Sequence, residues 1–249
     1  SELEETAAAC SATGGRCEVL VADVADREQA AGLVAAVEAA AGAVDVLINA
    51  AGIYGPIGPF AQQPLAEWER AVTVNLMGTV YTCHAALPGM LSRGRGSIVN
   101  FSGGGATAPL PRFSSYAATK AAVVRLTETI AAECAGTGVR ANAIAPGAVD
   151  TRLQDQVIAA GERAGELHGR LAEMRRSGAG ATPPRVAAEL ALFLAADRSA
   201  PLSGRLLSAP HDGWRSWSAR QLEEISLSEW YTLRRLDPFT LGKLGKAPG

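Results

Sequence analysis

Apolar residues recur along this chain at two alternating spacings. Short apolar runs stand at 18–22, 44–48, 97–101, 139–145 and 204–208, each with Gly, Asn or Pro nearby. Between the runs, apolar positions fall three and four apart. Leu33, Val34 and Val37 share one helical face, as do Val123, Leu126 and Ile130. The pattern predicts strands at the five runs and helices over about 1–10, 26–41, 65–91, 114–135 and 184–196. Capping-box spacings at Ser1/Glu4 and Asp26/Gln29 mark two helix starts. Residues 151–180 are polar and rich in Gly and Arg, and read as a weakly helical, mobile segment.

Strand and helix alternate, which implies an α/β fold with a parallel sheet covered by helices on both faces. At 249 residues the chain can build one sizeable core. Residues 1–210 read as that domain and 211–249 as a C-terminal extension, which holds three of the four tryptophans. The extension reads equally as a helix on the domain's own core or as a lid or interface.

Composition narrows the function. Hydrophobic residues make up 48% but aromatics only 5%, so the core uses small side chains and closely approached helices. The 23 basic and 25 acidic residues leave a net charge of −2, which gives no footprint for nucleic acid or an anionic membrane. No apolar run reaches the length of a spanning helix. Cys10, Cys17, Cys83 and Cys134 follow no metal-binding or disulfide spacing, and read as reduced thiols of a cytoplasmic protein.

One pair of residues suggests acid–base chemistry. Tyr116 and Lys120 lie four apart in a helical pattern, so both side chains share a face. A free phenol titrates near pH ~10. A neighbouring ammonium favours the phenolate and lowers that value. Such a pair is common on helix surfaces, and its context decides. Asn49-Ala50-Ala51-Gly52 ends a predicted strand, at the edge where open α/β sheets bind ligands. Asn75 interrupts a helical pattern. Ser102-Gly103-Gly104-Gly105 ends another strand, and Pro146-Gly147 a third, with Thr151 shortly after.

Together these segments resemble the short-chain dehydrogenase/reductase family, in its simple, 3-oxoacyl reductase-like branch. The matches are Ala22-Asp23-Val24, N-A-A-G at 49–52, V-N-L-M-G-T around Asn75, S-I-V-N-F-S at 97–102, S-Y-A-A-T-K-A-A at 115–122 and P-G-A-V-D-T at 146–151. Their order holds over about 1–210. The resemblance implies a Rossmann-like doubly wound sheet and an NAD(P)-dependent oxidoreductase acting on a carbonyl/secondary alcohol pair. Tyr116 would exchange the proton, Lys120 would lower the Tyr116 pKa and bond the nicotinamide ribose, and Asn75 would hold a relay water. Asp23 and Val24 would flank the adenine. Asn49, Ala50, Ala51 and Gly52 would line the adenosine ribose. Pro146, Gly147, Val149 and Thr151 would hold the carboxamide end. The family also implies a homodimer or homotetramer, formed through the helices at 65–91 and 114–135.

Two departures stand out. The family's carbonyl-polarising serine falls at Gly103, and Ser102 occupies the preceding position. Alternation along a regular strand points Ser102 to the opposite face. Ser102 re-aimed by the glycines, a backbone N–H of the glycine turn, or a water could supply the hydrogen bond. Ser114 and Ser115 read as helix caps. The second departure is the glycine-rich T-G-x-x-x-G-x-G turn that reaches the pyrophosphate. None precedes Asp23. The expectation is a sheet lacking its first β-α-β unit, in a fragment of a longer reductase. The residue that selects NAD or NADP belongs to that unit, so the choice stays open. The departures keep alive a non-catalytic dinucleotide sensor or scaffold. The Tyr-x-x-x-Lys spacing also admits a sugar-nucleotide epimerase or dehydratase. His84 and His168 read as packing and surface residues, and the arginines of 151–184 as a solvated lid.

Overall fold

The computed structural model describes residues 2–235 and 237. Ser1 of the first expected cap, and the end of the extension from 238 on, lie outside the described residues. Helices α1 (Glu2–Ala12) and α2 (Arg27–Ala41) come first, followed by strand β1 (Val46–Asn49). Next are α3 (Leu65–Val72), a π-helical turn (Thr73–Met77) and α4 (Gly78–Arg93). The centre of the chain forms β2 (Gly96–Phe101), α5 (Ser114–Glu133) and β3 (Val139–Ala145). It ends in α6 (Arg152–Ala160), α7 (Glu166–Ser177), α8 (Pro184–Ala195), β4 (Leu206–Ser208) and α9 (Ala219–Ser226). No helix among the described residues is long and apolar enough to cross a membrane.

The four strands pair in parallel in the order β1-β2-β3-β4. Parallel neighbours need crossover helices, which then cover both faces. Adjacent side chains of β2 show this division. Ile98 packs with Cys83, Met90 and Ile130 of α4 and α5. Val99 packs with Leu190 and Leu194 of α8. Trp214, Trp217, Leu222 and Ile225 of the extension are buried in the α8-side core. Arg205 anchors the end of α9, giving hydrogen bonds to the carbonyls of Ile225, Ser226 and Ser228 at 3.0, 2.8 and 2.9 Å.

Most boundaries follow the local chemistry. Asp26 caps α2, accepting from the backbone N–H groups of Glu28 and Gln29, and Gly42 ends it at a φ of 80°. Three expectations are corrected. The run at 18–22 is not a strand: no strand of the sheet pairs with it, and Val21 is 86% exposed. Extended backbone becomes a strand only against a partner. Residues 151–180 form two helices, α6 and α7, whose Val157, Leu171 and Met174 are buried against Phe113 and Tyr54. Ser114 and Ser115 do not cap α5. Ser114 Oγ donates to Gln63 Oε1, and Ser115 Oγ donates to the carbonyl of Tyr54.

Candidate active site

Helix α5 carries the two expected acid–base groups. Tyr116 and Lys120 sit on its first turns, one turn apart, and both are buried. The Lys120 ammonium lies 5.6 Å from the centre of the Tyr116 ring and gives a 2.9 Å hydrogen bond to the carbonyl of Phe101, at the end of β2. Burial lowers the Lys120 pKa from the usual 10.5 to about 8. Burial also pushes the Tyr116 phenol above its ordinary value, and the neighbouring Tyr54 adds to the rise. The expected lowering of the Tyr116 pKa by Lys120 is therefore not met by this chain alone. The ammonium lies over the ring and bonds a carbonyl, and desolvation dominates both groups.

A pocket of about 420 Å³ opens over this pair at the carboxyl ends of the strands. Pro146, Gly147, Val149 and Thr151 line one wall, and Ala50, Gly52 and Tyr54 line another. This is the crevice position of open α/β sheets. Gly147 has a φ of 85°, and a Cβ there would stand 2.4 Å from Thr182 Oγ1, so only glycine fits. Gly52 lies close to Asn75 Oδ1 and Lys120 Nζ: its Cβ would be 3.3 Å from each.

Asn75 occupies the π-helical turn, which lets its side chain leave the helix face. Its Oδ1 accepts from the Ile53 N–H at 2.8 Å, and its Nδ2 donates to the Ile53 carbonyl at 2.9 Å and to Thr119 Oγ1 at 3.0 Å. The side chain thus ties the loop after β1 to α5. Asn49 is held within the sheet: Nδ2 donates to Asn100 Oδ1, and Oδ1 accepts from Thr82.

Ser102 follows β2 and lines the same pocket. Its hydroxyl donates to the backbone carbonyl of Lys120 at 3.1 Å, and the residue is buried. That contact ties α5 to the end of β2. At Gly103 the Tyr116 hydroxyl fills the room of the missing side chain: a Cβ there would stand 2.4 Å from it.

A second groove, about 260 Å³, runs beside β1 and is lined by Val24, Asn49, Ala50 and Ala51. Ala50 also lines the first pocket, so the two are neighbours. Asp23, next to Val24, is exposed. Its carboxylate accepts from the Ala25 N–H and stands 3.6 Å from Arg70. The close seats at Gly52 and Gly147 and the converging side chains of Tyr116, Lys120 and Thr151 fit the nicotinamide end of a dinucleotide.

Two pocket residues escaped the sequence reading. Tyr54 is the second residue after N-A-A-G, and its ring lies 4.8 Å from that of Tyr116. Gln154 follows Thr151 on α6; it is 5% exposed, and its Oε1 has no hydrogen-bond partner. A tyrosine or glutamine in a loop carries no periodic signal. Only their nearness to matched motifs could have flagged them.

Comparison with known proteins identifies the family. The short chain dehydrogenase family model matches residues 1–161. The 2-(S)-hydroxypropyl-CoM dehydrogenase 3 of Xanthobacter autotrophicus is 34% identical over 203 residues, covering 81% of this chain and 79% of that protein. Among solved structures, an NAD+-bound xylitol dehydrogenase superposes with a TM-score of 0.76 at 26% identity, over 83% of each chain. A gluconate 5-dehydrogenase from Burkholderia cenocepacia, in complex with NADP and tartrate, gives 0.71 at 29% identity, over 82% of this chain and 78% of its own. The chain belongs to the short-chain dehydrogenase family and is an NAD(P)-dependent oxidoreductase of alcohol and carbonyl substrates.

Proposed function

We propose that Tyr116 is the proton-transfer residue and that the substrate is a small secondary alcohol or its ketone. The observation that carries this reading is the shared pocket of Tyr116, Lys120, Pro146, Gly147 and Thr151. When bound, NAD(P) supplies the hydride acceptor for oxidation or the donor for reduction. In oxidation Tyr116 takes the hydroxyl proton of the substrate, and in reduction it gives one to the carbonyl oxygen. Lys120 holds the ribose side of the nicotinamide and presents its positive charge to the phenol. Asn75 acts as a positioning residue, through Ile53 and Thr119. Val149 and Thr151 orient the carboxamide. Asp23, Val24 and Asn49 to Ala51 border the adenosine side.

The pocket volume and the unpaired Gln154 Oε1, an acceptor for a hydroxyl, support a compact, hydroxylated substrate over a long acyl chain. The named neighbours are dehydrogenases of xylitol and gluconate, which agrees with that class. We further propose a homodimer or homotetramer through α4 and α5; a monomer mass by light scattering would contradict it. The free cysteines support a cytoplasmic location.

The direct test is turnover by the purified full protein of a panel of secondary alcohols, polyols and their ketones, with NAD and with NADP. Hydroxylated substrates should be turned over fastest. A protein that binds reduced cofactor yet oxidises or reduces nothing in the panel would favour the sensor reading.

A further inference from the structure

The carbonyl oxygen of a substrate gains negative charge as hydride arrives at its carbon. A single donor, the Tyr116 phenol, leaves one lone pair of that oxygen unserved. A second preorganised donor in such a site lowers the barrier substantially. Gly103 has no side chain to offer, and the Ser102 proton is bound to the Lys120 carbonyl. Thr151 and Gln154 lie on the segment after β3, on the wall assigned to the carboxamide end.

Tyr54 meets the requirement. It lines the same pocket as Tyr116 and Lys120. Its ring packs on Tyr116 with centroids 4.8 Å apart, tilted by 59°, and on Phe113 at 5.2 Å. Its backbone is fixed on both sides: Ser115 Oγ donates to its carbonyl, and Asn75 clamps Ile53 just before it. Among the described residues, no hydrogen bond engages its hydroxyl, although the ring is buried. The phenol is thus rigid, beside the proton-transfer residue, and has a proton to give.

We propose that Tyr54 is a second catalytic residue, whose hydroxyl donates to the substrate oxygen and takes the part of the side chain missing at Gly103. The proposal rests on the dehydrogenase reading above. Gly103 and Tyr54 then form a matched pair. Glycine lets the Tyr116 hydroxyl settle against the end of β2, and Tyr54 approaches the substrate oxygen from the loop after β1. No electrons pass through Tyr54, and its proton stays on its own oxygen. The hydrogen bond strengthens as charge develops and weakens as Tyr116 delivers its proton.

The test is Tyr54→Phe in the full protein, which removes one oxygen and keeps the ring packing. Rates are measured with the best substrate of the alcohol and ketone panel, alongside thermal unfolding and fluorescence titration with NADH or NADPH. The expected result is a kcat lower by on the order of a hundredfold, with unfolding midpoint and cofactor affinity unchanged. An unchanged kcat and kcat/KM would overturn the proposal and leave the dehydrogenase reading intact. A fall in kcat matched by a lower unfolding midpoint or lost cofactor affinity would assign Tyr54 a packing role and also overturn it. A wild-type protein inert toward the whole panel would overturn the dehydrogenase reading, and this proposal with it.

Discussion

Lys120 is buried, and among the described residues no carboxylate pairs with it; its hydrogen bond goes to the Phe101 carbonyl. Its pKa in the folded protein, about 8, lies below the usual 10.5. Between those two values the unfolded chain binds more protons than the folded one, so stability rises with pH across that window. Below pH ~8 the full cost of burying the charge is present, up to ~3 kcal/mol. Lys120→Met should therefore raise the unfolding midpoint at neutral pH, abolish turnover, and lose its stability advantage toward pH ~10. Thermal melts of both proteins across that range check this; a variant less stable than wild type at neutral pH would contradict it. Tyr116 and Lys120 were legible in the sequence because a four-residue spacing is a property of one helix. The partner of Ser102 was not legible, because it is the backbone carbonyl of Lys120, eighteen residues away. Tyr54 was invisible because its place depends on Asn75 and Ser115 holding a loop against α5.

At the scale of elements, periodicity located the strands and helices that have partners. The run at 18–22 shows the limit. Its apolar residues match a strand, yet a strand needs a hydrogen-bonding neighbour, and Val19, Leu20 and Val21 are exposed. The helix expected over 65–91 is instead α3 and α4 joined by a π-helical turn, and that irregularity frees the Asn75 side chain. Helices α6 and α7 exceed the weak expectation because tertiary burial supplies what their polar sequence does not. A buried guanidinium adds to the apolar packing that ties the extension to the domain. Arg205 serves three carbonyls near the end of α9. Arg205→Ala should cost about 2–3 kcal/mol, as hydrogen bonds to a charged donor are lost. It should also shift the emission of Trp214 and Trp217 toward the red as they meet water. Chemical denaturation followed by tryptophan fluorescence reads both; an unchanged midpoint and spectrum would contradict the anchoring role.

Across the whole molecule, the carboxyl ends of the first three strands gather much of the pocket wall. The loop after β1 brings Gly52 and Tyr54, β2 ends at Phe101 and Ser102, and β3 leads into Pro146 and Gly147. Helix α5 crosses beneath them with Tyr116 and Lys120. The far edge at β4 is closed by a hydrogen bond from the Leu206 N–H to the Tyr231 carbonyl. At the β1 edge, Val46 and Ile48 are 40% and 47% exposed, a strip of apolar surface along the 260 Å³ groove. The account rests on the buried phenol of Tyr116 as the group that moves the proton. Its most direct test is single-turnover oxidation by Tyr116→Phe, read as formation of reduced nicotinamide, with cofactor affinity measured in parallel. The account predicts a rate lower by about a thousandfold with cofactor binding retained. A Tyr116→Phe protein that turns over at the wild-type rate would contradict it.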